Sequence, residues 1–132
     1  MVSYARYAFV GLVWLYLAGV VGQTFLAGAA LFSPERDFEL HRNLGYLLHL
    51  APIGLLMVAV VARLGREIIT WTVALLIVQG IQPLLPILRT DYPLLAAFHP
   101  VLVLAIFWIG VSLGMKAWRL VRSAEPMSSQ GA

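Results

Sequence analysis

Four apolar stretches, residues 7–32, 40–62, 68–88 and 94–115, each run for about twenty residues or more with almost no charge inside them. A helix needs ~20 apolar residues to cross the ~30 Å hydrocarbon layer, and each stretch meets that length. The links between them are short and polar: "SPERDFE", "RLGRE" and "RTDYP", with Pro34 and Pro93 placed where a helix must stop or start. Links this short force successive helices to run antiparallel. The expected fold is therefore an all-α integral membrane protein, an up-down-up-down four-helix bundle forming one domain over residues 1–122. The remaining segment 123–132, "SAEPMSSQGA", is polar and poor in bulky residues, which predicts a disordered cytoplasmic tail.

Composition agrees with that class. The chain is 61% hydrophobic and 11% charged over 132 residues, with a mean hydropathy of +0.89. A water-soluble domain of this size cannot hide that much apolar surface. Cysteine is absent, which removes disulfides, thiolate metal sites and cysteine nucleophiles from consideration. The net charge of +3 does not point to nucleic acid, because the basic residues fall at the ends of apolar runs. Arg6, Arg63, Arg66, Lys116, Arg119 and Arg122 share one side, against Arg36, Arg42 and Arg89 on the other. The positive-inside bias then places both termini in the cytoplasm and the chain in the cell inner membrane. The run "LAGAA" at the end of the first stretch looks like a signal-cleavage site, but the stretch is too long for the ~7–15-residue apolar region of a signal peptide. It is read as a retained helix, with Ala18, Gly19, Gly22, Ala27 and Gly28 as small residues for close helix contact.

With this topology the polar residues within the stretches gather in the outer half of the membrane. Gln23 lies roughly 14 Å below the outer end of the first helix, taking 1.5 Å per residue. His41 is shallow on the second helix and His49 about 12 Å deeper. Gln79 and Gln82 lie on the third helix, and His99 near the start of the fourth. The inner half offers Thr70, Thr72 and Ser112 but nothing ionisable. Polar groups in hydrocarbon cost several kcal/mol unless paired, so a cluster of them points to a site.

Three imidazoles and three carboxamides, with no buried carboxylate, suit a neutral nitrogen ligand set for haem iron, zinc or copper. Haem is favoured on geometry. His41 and His49 lie eight residues apart, about 80° around the helix and ~12 Å along it, so they cannot share one ion. A haem needs only one axial nitrogen from each of two helices and a slot between them. Gly45, between His41 and His49, and Gly80 would leave room for a ring edge, and Arg42 could pair with a propionate. A weak internal repeat appears as well, with Gln23 preceding His41 by eighteen residues and Gln79 preceding His99 by twenty. Such a parallel repeat would set His41 opposite His99.

The run "ELHRNLGYLL" resembles the start of the second helix in each half of haem A synthase. "VQGIQPLLPILRTDYPLLAAFHPVLVLAIF" resembles the matching hairpin with its second histidine. The resemblance covers about residues 38–107. It implies a b-type haem held by His41 and His99 on the extracytoplasmic side. The chain resembles still more closely small bacterial four-helix membrane proteins of unassigned function that share "Q-x-F-L-A-G" at Gln23 to Gly28, "H-R-x-L-G-Y-L-L-H" at His41 to His49, and "H-P-V" at His99 to Val101. Haem A synthase has two such halves, so a homodimer of this chain would rebuild its eight-helix form. His49 has no counterpart in the synthase pattern.

Each residue also has an ordinary reading. His41 could cap a helix at the membrane surface, His99 could mark the first turn of a helix before Pro100, and His49 could bond Gln23 or Gln79 at its own depth. Gln23, Gln79 and Gln82 serve equally as interhelical bonds or as partners that orient a ligand histidine. Pro52, Pro83 and Pro86 should bend their helices and free carbonyls that the glutamines could satisfy. Three functions follow. The first is a small b-type cytochrome binding haem b for electron transfer to a redox partner or for haem handling. The second is a module binding a quinone or lipid-like ligand, and the third an accessory subunit of a membrane complex. No nucleophile triad, phosphate loop or zinc motif supports a hydrolase or transferase.

Overall fold

The computed structural model describes residues 2–123; the tail 124–132 lies outside the described residues. Among them every regular element is a helix: α1 (Val2–Phe32), α2 (Glu39–Val61), α3 (Gly65–Ile81), α4 (Leu84–Ile87), α5 (Pro93–Ala96) and α6 (Phe98–Ser123). Four candidate membrane spans result, Tyr4–Phe32, Glu39–Val61, Gly65–Ile87 and Pro93–Ser123. The protein is a multi-pass membrane protein. α1 packs on α2 and α6, and α3 packs on α2 and α6, so the four long helices close a ring with α1 diagonal to α3. Phe9, Val13, Leu17, Leu55, Ile68, Leu75, Ile106 and Leu113 fill its centre.

Prolines explain why four apolar stretches yield six helical pieces. Pro83 lacks the N–H that would continue the ladder of α3, which stops at Ile81 with Gln82 as its cap, and α4 resumes as a single turn. Pro100 stands third in α6, where a missing donor is tolerated, and the short α5 precedes it. Pro52 stays inside α2 and is buried. α6 runs eight residues past the expected end at 115, because Ala117 and Val121 continue its buried stripe.

α2 ends in a Schellman motif. Leu64 N–H bonds the Ala59 carbonyl at 3.1 Å and Arg63 N–H the Val60 carbonyl at 3.1 Å. Arg63 holds the left-handed position at φ 51°, and Leu64 behind it is buried. Arg6 of α1 reaches this corner, its Nε donating to the Ala62 carbonyl at 3.4 Å.

Close packing around α1 depends on two glycines. A Cβ on Gly19 would meet Leu48 Cδ2 at 2.6 Å, and one on Gly110 of α6 would meet Leu17 Cδ2 at 2.7 Å. Gly22 lies near Leu44, whereas Gly28, expected to serve the same purpose, has nothing within 4 Å. At the end of the bundle where α2 meets α3, Lys116 pairs with Glu67 and lies 5.7 Å from the ring centre of Trp71, which stacks edge-on against Trp108. Glu67 is 65% exposed, so this pair stabilises the fold little. Glu67→Gln is expected to change unfolding stability by less than about 1 kcal/mol, measured by denaturant titration in mixed micelles.

Candidate functional site

The polar residues form two tiers. The upper tier lies where the 33–38 and 88–92 links face each other, and it joins all four spans. His41 on α2 places Nδ1 3.1 Å from the Gln23 carbonyl of α1. His99 on α6 places Nδ1 2.9 Å from the Gln82 carbonyl at the end of α3. A carbonyl can only accept, so both imidazoles carry their proton on Nδ1 and keep the Nε2 lone pair. The two rings stand edge to face with centroids 6.3 Å apart, and Phe38 closes on His41 at 6.1 Å.

The same device thus occurs twice, once in each hairpin. The glutamine carbonyl and histidine are eighteen residues apart in the first and seventeen in the second. The sequence suggests a repeat matching Gln23 and His41 with Gln79 and His99; the structure instead pairs His99 with the Gln82 carbonyl, while Gln79 bonds Tyr16 and lies against His49. The reason is Pro86. In a helix the Gln82 carbonyl would accept from the N–H of residue 86, which proline lacks, so His99 takes the place of that donor. The expectation that glutamine side chains would satisfy proline-freed carbonyls is corrected here, since a histidine does so. The Gln82–Pro86 spacing was the signal in the sequence.

Gln23 also braces His41 from its side chain. Its Nε2 donates to the His41 carbonyl at 2.8 Å and lies 3.4 Å from His41 Nε2. Gly45 makes room for this carboxamide: a Cβ there would meet Gln23 Nε2 at 2.9 Å. The space at Gly45 is therefore filled by Gln23, where a bound ring edge was expected. Gly80 is exposed with nothing within 4 Å, and Arg42 is exposed beside His41. Gly45→Ala is expected to push the carboxamide off His41 and free its ring. The check is 15N-histidine NMR, in which the His41 signal broadens while that of His99 keeps its width.

The lower tier contains Tyr16, Gln79 and His49. Tyr16 OH donates to Gln79 Oε1 at 2.8 Å across the diagonal from α1 to α3. Gln79 Nε2 then lies 3.3 Å from His49 Nδ1 on α2. Gln79 is thus the partner of His49, one of the two expected. Tyr16, buried in the core, was absent from the expected site because an aromatic in an apolar run carries no distinguishing pattern. Three buried side-chain atoms, Gln23 Oε1, Gln82 Oε1 and His49 Nε2, have no hydrogen-bond partner among the described residues. An atom of this kind left without a partner costs about 1–3 kcal/mol.

Residues 23–89, just over half of the chain, match a family of unknown function, DUF6220. The chain belongs to this family. The DUF6220 segment contains Gln23, His41, Arg42, Gly45, His49, Gln79 and Gln82 and ends before His99. No curated protein and no solved structure matches this DUF6220 member. Among its described residues no group of three or more His, Cys, Asp or Glu is gathered to hold a metal ion. What the upper tier offers is a pair of imidazoles. A pair sharing one metal has its ring centroids ~6 Å apart, from nitrogen–metal bonds of ~2 Å and centroids about 1 Å behind their nitrogens. The 6.3 Å between the His41 and His99 ring centroids matches that spacing.

Proposed function

We propose that this protein is a small b-type cytochrome, with haem b held between α2 and α6 by His41 and His99. The observation that carries the reading is the twice-used histidine device. Each imidazole gives its Nδ1 proton to a backbone carbonyl, the arrangement that metal-ligating histidines adopt to fix tautomer and ring orientation. A packing role would require one bonded nitrogen per histidine. It would not require two rings brought to 6.3 Å across the ring of helices.

In this reading the Gln23 and Gln82 carbonyls hold the rings, and Arg42, exposed in the first turn of α2 next to His41, would be the cation for a propionate. A bound haem would supply one-electron chemistry, and the chain would supply axial ligation, burial and orientation. The basic residues at the far end, Arg63, Arg66, Lys116, Arg119 and Arg122, support a topology with that end and both termini in the cytoplasm. The site would then open toward the extracytoplasmic leaflet of the inner membrane, where a redox partner could approach.

Titration of haem into the purified apoprotein tests this. Saturation at one haem per chain with a low-spin spectrum is the expected result. Failure to saturate, in protein that is monodisperse and helical by circular dichroism, would refute it.

A further inference from the structure

The repeat that relates the two hairpins stops at the lower tier. The shift that carries Gln23 onto Gln82 carries Tyr16 onto Leu75, and the shift that carries His41 onto His99 carries His49 onto Phe107. Leu75 is fully buried at its position, so the architecture accepts an apolar residue where the first hairpin places Tyr16. The lower tier is an addition to one hairpin.

That addition ends in a donor. Tyr16 is 3% exposed, and its hydroxyl hydrogen has Gln79 Oε1 as acceptor; turning the carboxamide around would orphan it. With Oε1 facing Tyr16, the amide N–H of Gln79 faces His49 Nδ1, which must accept. His49 is consequently protonated on Nε2, and Nε2 is the buried atom without a partner. Upper and lower histidines are opposite tautomers: His41 and His99 keep the Nε2 lone pair, that of His41 with the Gln23 carboxamide nitrogen 3.4 Å away, whereas His49 carries an N–H there.

We propose that the Tyr16–Gln79–His49 chain is a second recognition site, in which His49 Nε2–H donates to the carbonyl oxygen of a membrane-soluble quinone. A donor with no acceptor among the described residues calls for an acceptor on a ligand, and a carbonyl oxygen supplies one. His49 stands midway along the span Glu39–Val61, roughly 15 Å from its first residue. Lipid ester carbonyls lie at the edge of a hydrocarbon layer ~30 Å thick and do not reach that depth. A quinone head does, because the molecule dissolves in the layer. The ring of His49 is half-buried on α2, next to Leu50 and Ile53, which are exposed on the apolar surface of the bundle. This site uses none of the upper-tier residues and does not depend on haem.

The test is 15N-histidine NMR of the full-length apoprotein in nanodiscs, titrated with decylubiquinone, in ester-linked and in ether-linked phosphatidylcholine. The expected result is a saturable shift of the His49 Nε2–H signal in both lipids. His49→Phe should lose saturable binding while keeping its His41 and His99 signals. Tyr16→Phe should weaken binding by roughly five-fold, as removal of the bond that orients Gln79 implies. His41→Ala and His99→Ala should bind as the parent does, which keeps this outcome separate from that of haem binding. No quinone-dependent shift, binding that survives His49→Phe, or a signal that responds only to the change from ester to ether lipid would each overturn the proposal. The last would assign the donor to a lipid carbonyl.

Discussion

Replacing either His41 or His99 with alanine is expected to abolish the sharp reduced α-band and to weaken haem binding by more than ~100-fold. That is above the 10–100-fold range seen when only the groups orienting a metal ligand are lost. The two variants should behave alike, because each removes an imidazole whose Nδ1 bonds a glutamine backbone carbonyl of a neighbouring span. His49→Phe, by contrast, should leave the band unchanged. Gln23→Leu should lie between these. It keeps the backbone carbonyl that accepts from His41 but loses the Nε2 bond of 2.8 Å to the His41 backbone, so affinity falls while coordination persists. Absorption spectra of the variants, normalised to protein that is monodisperse in detergent, decide the ranking. If His49→Phe lost the band while His41→Ala kept it, the ligand assignment would move to the lower tier.

The second large effect concerns the bundle itself. Gly19→Leu and Gly110→Leu are expected to destabilise it by about 1–3 kcal/mol each, and the double variant by more than either. Both clashes fall on α1 contacts, one toward Leu48 of α2 and one toward Leu17 from α6, at 2.6 and 2.7 Å for the first side-chain carbon alone. Leu48 and Leu17 are buried, so they have little space into which to move. In a bilayer the lost contact is not offset by a hydrophobic driving force between helices, since lipid tails are as apolar as leucine. Gly28→Leu is the control: nothing lies within 4 Å of that position, and its effect should stay within about 0.5 kcal/mol. Unfolding in mixed micelles, followed by circular dichroism, measures all three. An equal response at Gly28 and Gly19 would mean that close approach at Gly19 does not govern packing.

Much of the fold was legible because span length and hydrophobicity are one-dimensional properties. Apolar runs separated by "SPERDFE", "RLGRE" and "RTDYP" translate directly into four spans. Helix breaks inside those runs were legible only in part. Pro83 and Pro86 announced a disturbance, but whether a proline bends a helix or ends it depends on which carbonyls find another donor, a tertiary fact. The same reason governed the site. His49 with Gln79 follows from matching depths on antiparallel helices, whereas Gln23, which the sequence placed at the depth of His49, lies against His41 in the structure. The pairing of His99 with Gln82 in place of Gln79 depended on the Gln82 carbonyl set free by Pro86. Tyr16 could not have been found from sequence, because its importance lies in a hydroxyl aimed across the bundle diagonal at Gln79.

The central claim is that His41 and His99 are a ligand pair, and the most direct measurement is a reduced-minus-oxidised absorption spectrum of the wild-type protein purified from a haem-replete host. The expected result is a split-free, sharp α-band and an intense Soret difference of a six-coordinate low-spin b-type centre, at one haem per chain. A featureless spectrum from folded protein, or a high-spin spectrum with a single histidine ligand, would contradict it.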